Sequence, residues 1–251
     1  MGPDDNRQLD GGESPAGEEF GDLLGLLNEL KAEGCNLLVV GDSRRELFTR
    51  ASGSLFGDVN APRFRLLALT DATTQSAAER LPDPVETSQP LTAMTKLVRH
   101  PLSARSTAAQ ASTGNHPGLT GIPETKVTTE CLAELETELV ESMAEFHNRT
   151  TDRRSTELRV GVDSLVPLLD RYEESTVRRF VRIVAERSRE YDAMAHYILP
   201  EPYESERVQS LANEFEAVVE VRSVDPTKHD HDAEERWHIP GKDVTIDWLP
   251  L

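Results

Sequence analysis

Lysine is nearly missing from this chain. Only five of its 251 residues are Lys (31, 96, 126, 228 and 242), beside 22 Arg and 45 acids, and the formal net charge is −18. So large an acid excess argues against the basic face that non-specific nucleic-acid binding needs. It suits a protein kept soluble in concentrated salt, where the Debye length falls to about 3 Å at 1 M and self-repulsion is screened. A halophilic source is therefore expected. Cysteine is as scarce: Cys35 and Cys131 lie far apart, each in an apolar pattern. They leave no disulfide framework and are expected to be buried single thiols. No run of about 18 apolar residues occurs, which argues against a membrane helix. The acidic N-terminus does not read as a signal peptide. A cytoplasmic protein is expected.

What is present reads as one domain behind a tail. Residues 1–19 place six acids among glycines and prolines and are expected to be a disordered acidic tail. Residues 20–251 then form a single domain. Phe20, Leu23, Leu24, Leu27 and Leu30 mark a helical face that Gly34 would stop. Cys35–Val40 and Arg63–Thr70 read as strands, and their near-continuous apolar runs predict a parallel sheet covered on both sides. Leu132, Leu135, Leu139, Met143 and Phe146 share one face of a long helix whose glutamates lie mostly on the other. Further strands are expected at Leu158–Val162, Ala193–Leu199 and Ala217–Val221, with closing strands at Arg236–Ile239 and Thr245–Leu249. Helices are expected at Ser175–Tyr191 and Arg207–Phe215, and Thr92–Val98 reads as a short strand or helix. The alternation predicts an α/β fold: a mostly parallel sheet with helices on both faces.

The turn after the first strand, Gly41-Asp42-Ser43, sits where a phosphate-binding loop would lie. Such a loop needs glycines to curl backbone N–H groups round phosphate, a Lys for charge, and a hydroxyl for magnesium. After Gly41 there is no glycine until Gly53 and no Lys until Lys96. Ser43 and Glu46 have the spacing of a capping box, which would fill the helix N-terminus with the chain's own side chains. Two readings stay open: an ordinary βα turn with a good cap, or an unorthodox nucleotide site that uses Arg44 and Arg45.

Other stretches carry weaker signals. Residues 99–123 hold no acid, and Arg99, His100, Arg105 and His116 make them locally basic. They read as a flexible surface loop or as a contact for an anionic partner or neighbouring subunit. His229-Asp230-His231-Asp232 alternates metal-ligand residues, but Pro226 and Lys228 on one side and Glu234 and Glu235 on the other mark a solvated hairpin tip, so no metal site is expected. His196, in an apolar strand, reads as a satisfied core histidine, and Trp237 and Trp248 read as core. The apolar ending Trp248-Leu249-Pro250-Leu251 would dock on the sheet or on another subunit.

In Arg159-Val160-Gly161-Val162-Asp163, an apolar strand ends in Asp, as in a Walker B site where a carboxylate holds magnesium's water shell. The series strand, Asp-Ser-Leu, turn, helix, strand, helix, strand over 157–221 resembles the core of the RecA superfamily, in particular its KaiC- and RadA-like branch. The ending Arg236-Trp237-His238-Ile239 and Asp247-Trp248-Leu249-Pro250-Leu251 resembles a haloarchaeal family related to that branch, often labelled transducer-like. The resemblance implies a RecA/P-loop-like three-layer architecture with ATP and magnesium held by the P-loop position, Gly41 to Leu47, and by Asp163 and Ser164. Asp71 would be a shorter substitute for the family's paired glutamates. As a structural alternative, Asp163 would cap a turn at its strand end. The P-loop and the glutamates do not match, so a non-catalytic regulatory or signalling scaffold is expected, without cofactor, acting through a protein partner or self-association. The alternative is a nucleotide-binding switch or weak ATPase using Gly41, Asp42, Ser43, Arg44, Arg45, Asp71, Asp163 and Ser164. A DNA-associated role would need the basic 99–123 loop against a strongly acidic whole.

Overall fold

The computed structural model describes Gly25 and residues 34–57, 59–87, 89–100, 116–149 and 157–251. The expected acidic tail, residues 101–115 of the expected loop and, Gly25 apart, the expected helix before Gly34 lie outside the described residues.

Strand β1 (Cys35–Val40) is apolar at nearly every position because it is buried on both sides. Leu38 and Val40 point into one core, Leu37 and Val39 into the other. The same two-residue alternation runs through β2 (Arg63–Leu69), where Phe64, Leu66 and Ala68 oppose Leu67 and Leu69. With β3 (Thr95–Arg99), β4 (Glu124–Lys126), β5 (Glu157–Val162), β6 (Met194–Leu199), β7 (Ala217–Ser223), β8 (Ala233–Ile239) and β9 (Val244–Pro250) they form one nine-stranded sheet in the order β4-β3-β2-β5-β6-β1-β7-β8-β9. Pairing is parallel from β4 through β7 and antiparallel for β7–β8 and β8–β9.

Helices cover both faces, as the apolar strands require. On one side lie α4 (Leu132–Arg149), α5 (Val166–Arg171), α6 (Glu174–Glu190) and α7 (Glu206–Leu211). On the other lie α1 (Arg45–Phe56) and α2 (Thr74–Glu79); Leu47, Phe48, Ala51 and Phe56 of α1 and Ala77 of α2 pack there. The short α3 (Leu91–Met94) leads into β3 and gives Leu91 to this side and Met94 to the first. The mostly parallel sheet with helices on both faces matches the expected α/β class.

Several expectations change in detail. Thr92–Val98 divides into the end of α3 and most of β3. Arg99 and His100 belong to β3 and its end, and both are buried; Arg99 Nε donates to Glu124 Oε1 at 2.7 Å. Arg99 is thus spent on the neighbouring strand, and neither residue is presented to a partner. Cys35 is buried but Cys131, which lies just ahead of the first residue of α4, is exposed. Trp237 is core, whereas half-buried Trp248 lies on the polar face of the antiparallel strands, under the guanidinium groups of Arg222 and Arg236 at 3.8 and 4.6 Å. The chain end docks on the sheet: Leu251 N donates to Ala233 O at 3.1 Å, and Leu249 and Leu251 pack on the α1 side.

Candidate functional site

The topology dictates where a ligand site would form. From β2 the chain moves to its neighbour β3; from the adjacent β5 it moves the other way, to β6. Right-handed crossovers then send the following helices to opposite faces, and a crevice opens beyond the C-terminal ends of β2 and β5. A cleft of about 230 Å³ lies there, and Ser43, Arg45, Asp71, Arg80, Asp163 and Ser164 contribute to its lining. Five of the eight sequence-predicted site residues are therefore brought together. Gly41, Asp42 and Arg44 are not among the lining residues.

Asp163 ends β5 and is 2% exposed. Its Oδ1 accepts from Thr70 N at 2.6 Å and lies 2.7 Å from the Thr70 hydroxyl; its Oδ2 accepts from Asp71 N at 3.1 Å. The hydroxyl is also 2.5 Å from Ser164 O, so its one proton serves either acceptor. Asp163 thus ties the end of β2 to the end of β5: it does cap a turn, but the turn after the neighbouring strand. Ser164 Oγ accepts from Val166 N at 3.2 Å and starts α5. Asp71 faces outward, and Arg45 Nη2 donates to its Oδ2 at 2.8 Å and to its carbonyl at 3.1 Å.

The expected capping box is absent. Helix α1 begins at Arg45, with Arg44 at the N-cap and no side-chain cap, and Glu46 is exposed. Ser43 Oγ instead donates to Val221 O at 3.4 Å. The cause is β7, which runs beside β1 and brings the Val221 carbonyl over the turn. The same carbonyl explains Gly41: its φ is +148°, and a Cβ there would stand 2.2 Å from Val221 O. This glycine serves the approach of two strands.

Sequence reasoning missed Thr70 and Arg80. Arg80, at the end of α2, is 2% exposed, and its Nη1 donates to Ser76 O at 2.8 Å and Ser76 Oγ at 2.5 Å. Burial lowers its pKa, and the nearby Asp163 carboxylate is the largest influence opposing that shift. An Arg that closes a short helix looks in sequence like any solvated charge. The apolar Ala77-Ala78 beside it offered the only hint.

Elsewhere, His196 is a core histidine as expected but is only half satisfied: its Nε2 lies 2.8 Å from Ser52 Oγ, its buried Nδ1 has no hydrogen-bond partner, and burial pushes its imidazole down to about 3. Among the described residues, no helix is long and apolar enough to cross a membrane.

No curated protein matches the chain by sequence. Among solved structures it is similar to the uncharacterized protein PH0321 from Pyrococcus horikoshii, crystallised in complex with an unknown peptide, at 13% identity over 84% of this chain and 88% of that chain with a TM-score of 0.49. So loose an overlap transfers no function. A family model matches residues 34–221, three quarters of the chain, and the protein belongs to that family, the family of unknown function DUF7504.

Proposed function

We propose that this DUF7504 domain is a non-catalytic relative of the RecA/KaiC-like ATPases. In this reading it serves as a regulatory or signalling scaffold, through a protein partner or self-association, in the cytoplasm of a halophilic archaeon. The observation that carries the reading is the commitment of Asp163 to Thr70 and Asp71. A magnesium-side carboxylate must offer lone pairs to the ion's water shell; this one spends most of its four on the end of β2. Three further points agree. The Arg45–Asp71 pair lies across the cleft lining. The cleft, about 230 Å³, is below the roughly 300–1,000 Å³ of pockets that take drug-sized ligands. No Lys stands in the turn after β1 to neutralise a triphosphate.

The test is calorimetric titration of MgATP and MgGTP into the full chain in molar KCl, with light scattering for association. No nucleotide heat and a defined oligomer or partner complex are expected. Magnesium-dependent ATP turnover abolished by Asp163→Ala would overturn the reading.

One observation favours a second reading, a nucleotide-binding switch. The first turn of α1 has no side-chain cap, and Ser43 and Arg45 bring it to the cleft that Arg80 also lines. Free N–H groups at a helix start attract anions. This reading predicts magnesium-dependent ATP binding that Arg45→Ala weakens.

A further inference from the structure

The loop joining β7 to β8 carries His229 and His231, two positions apart, and Glu234 follows at the start of β8. The solvated hairpin tip expected from sequence is in fact organised around that carboxylate. Glu234 stands opposite Arg222 of β7 in the antiparallel register. Arg222 donates through Nε and Nη2 to Oε2 at 2.9 and 2.7 Å, which fixes the carboxylate and turns Oε1 toward the loop. There His231 Nε2 lies 3.0 Å from Oε1 and His229 Nδ1 lies 3.6 Å from it. All three donor atoms fall within 4.8 Å of one another.

The loop holds this arrangement by its own hydrogen bonds. Asp225 Oδ1 accepts from Thr227 N and Oγ1 at 3.0 and 2.8 Å, and Val224 N donates to Asp232 O at 2.9 Å. Asp232 in turn pairs with Arg50 of α1 at 2.8 Å. The imidazoles are therefore presented by a braced turn.

We propose that His229 Nδ1, His231 Nε2 and Glu234 Oε1 form a binding site for a divalent metal ion of the zinc class. Two imidazole nitrogens and one carboxylate oxygen suit a borderline ion, whereas magnesium and calcium prefer oxygen alone. Four-coordinate zinc with bonds of about 2.0–2.1 Å sets its donors about 3.3 Å apart. The observed 3.0 and 3.6 Å from Oε1 bracket that value, and the two imidazole nitrogens, which lie within 4.8 Å of each other, reach it by rotation of the partly exposed side chains. Arg222 supplies the outer hydrogen bonds that a ligating carboxylate needs to hold its orientation. His229 and His231 keep 41% and 24% of their side-chain surface exposed, which gives the ion a path in and leaves its fourth position to water. Nothing in this site depends on the cleft between β2 and β5.

The experiment is calorimetric titration of zinc chloride alone into the chelator-stripped full chain in molar KCl, where loose attraction of cations to the acidic surface is screened. One saturable equivalent is expected. The double variant His229→Ala/His231→Ala should abolish it. His229→Ala alone, at a half-exposed loop position that leaves the fold intact, should weaken it at least tenfold. Arg222→Ala should keep the stoichiometry and weaken binding by about 10- to 100-fold, the range for loss of an outer-shell partner. Absence of saturable zinc binding would overturn the proposal. So would one equivalent that survives unchanged in both histidine variants.

Discussion

Replacing Asp163 with Ala separates a carboxylate that holds the fold from one that holds magnesium. In the native protein it accepts from Thr70 N and Asp71 N and shares the Thr70 hydroxyl proton with Ser164 O. Truncation lets the hydroxyl turn wholly to Ser164 O but orphans two backbone N–H groups, at about 1–3 kcal/mol each. It also removes a neighbouring negative charge from Arg80, itself 2% exposed and hydrogen-bonded to Ser76, which adds a smaller electrostatic cost. These costs overlap, and water entering the cleft of about 230 Å³ lowers their sum. A loss of about 3–4 kcal/mol is expected. At roughly 2–4 °C per kcal/mol for a domain of this size, the melting temperature should fall by about 6–16 °C. Asp163→Asn keeps an acceptor for Thr70 but turns an NH2 group toward Asp71 N–H or loses the Thr70 bond, and should fall about midway. The assay is thermal and urea unfolding in molar KCl without nucleotide or magnesium. A carboxylate reserved for a metal would be relieved, or left indifferent, by its removal. A wild-type melting temperature for Asp163→Ala, together with loss of MgATP binding, would refute the reasoning.

Three other outcomes follow from the same structure. Gly41→Ala should cost at least about 1–3 kcal/mol in backbone strain alone, with the clash against Val221 O added, and its soluble yield and urea midpoint should drop; a wild-type midpoint would show that this glycine does not serve strand packing. His196 is held neutral, with its imidazole pushed down to about 3 by burial, whereas the unfolded chain takes up that proton near 6.5. Stability is therefore full above about pH 6.5 and declines on acidification toward pH 3, by up to about 1.4 kcal/mol per pH unit for this group. Buried His100 and His238 are lowered too and steepen the decline; urea unfolding at pH 7 and pH 5 should show a shallower slope in His196→Gln than in the wild type, and equal slopes would count against the assignment. With a net charge of −18, the melting temperature should rise as KCl increases from about 0.1 M to about 1 M and the Debye length shrinks from about 10 Å to about 3 Å; a flat response would remove the argument for a halophilic setting.

Local pattern alone determined the elements whose burial is complete or strictly periodic. β1, β2 and β6 were legible because strands buried on both faces leave near-continuous apolar runs, β5 because Leu158, Val160 and Val162 alternate up to a terminal Asp163, and α4 and α6 because one wet and one dry face repeat every 3.6 residues. The short α2, α5 and β4 span too few residues to show a period. The site divides along the same line. Asp163 stood out as a charge at the end of an apolar strand, but its partners Thr70 and Asp71 lie more than 90 residues away in sequence and meet it only through the pairing of β2 with β5. Ser43 had the spacing of a cap, yet the carbonyl that takes its hydroxyl arrives 178 residues later on β7. Arg222, Glu234 and two loop histidines became one cluster only when an antiparallel register set them side by side. Spacing in sequence records which neighbours share a helix or strand; which donor meets which acceptor is settled by the packing of distant segments, and only the assembled sheet brings those segments together.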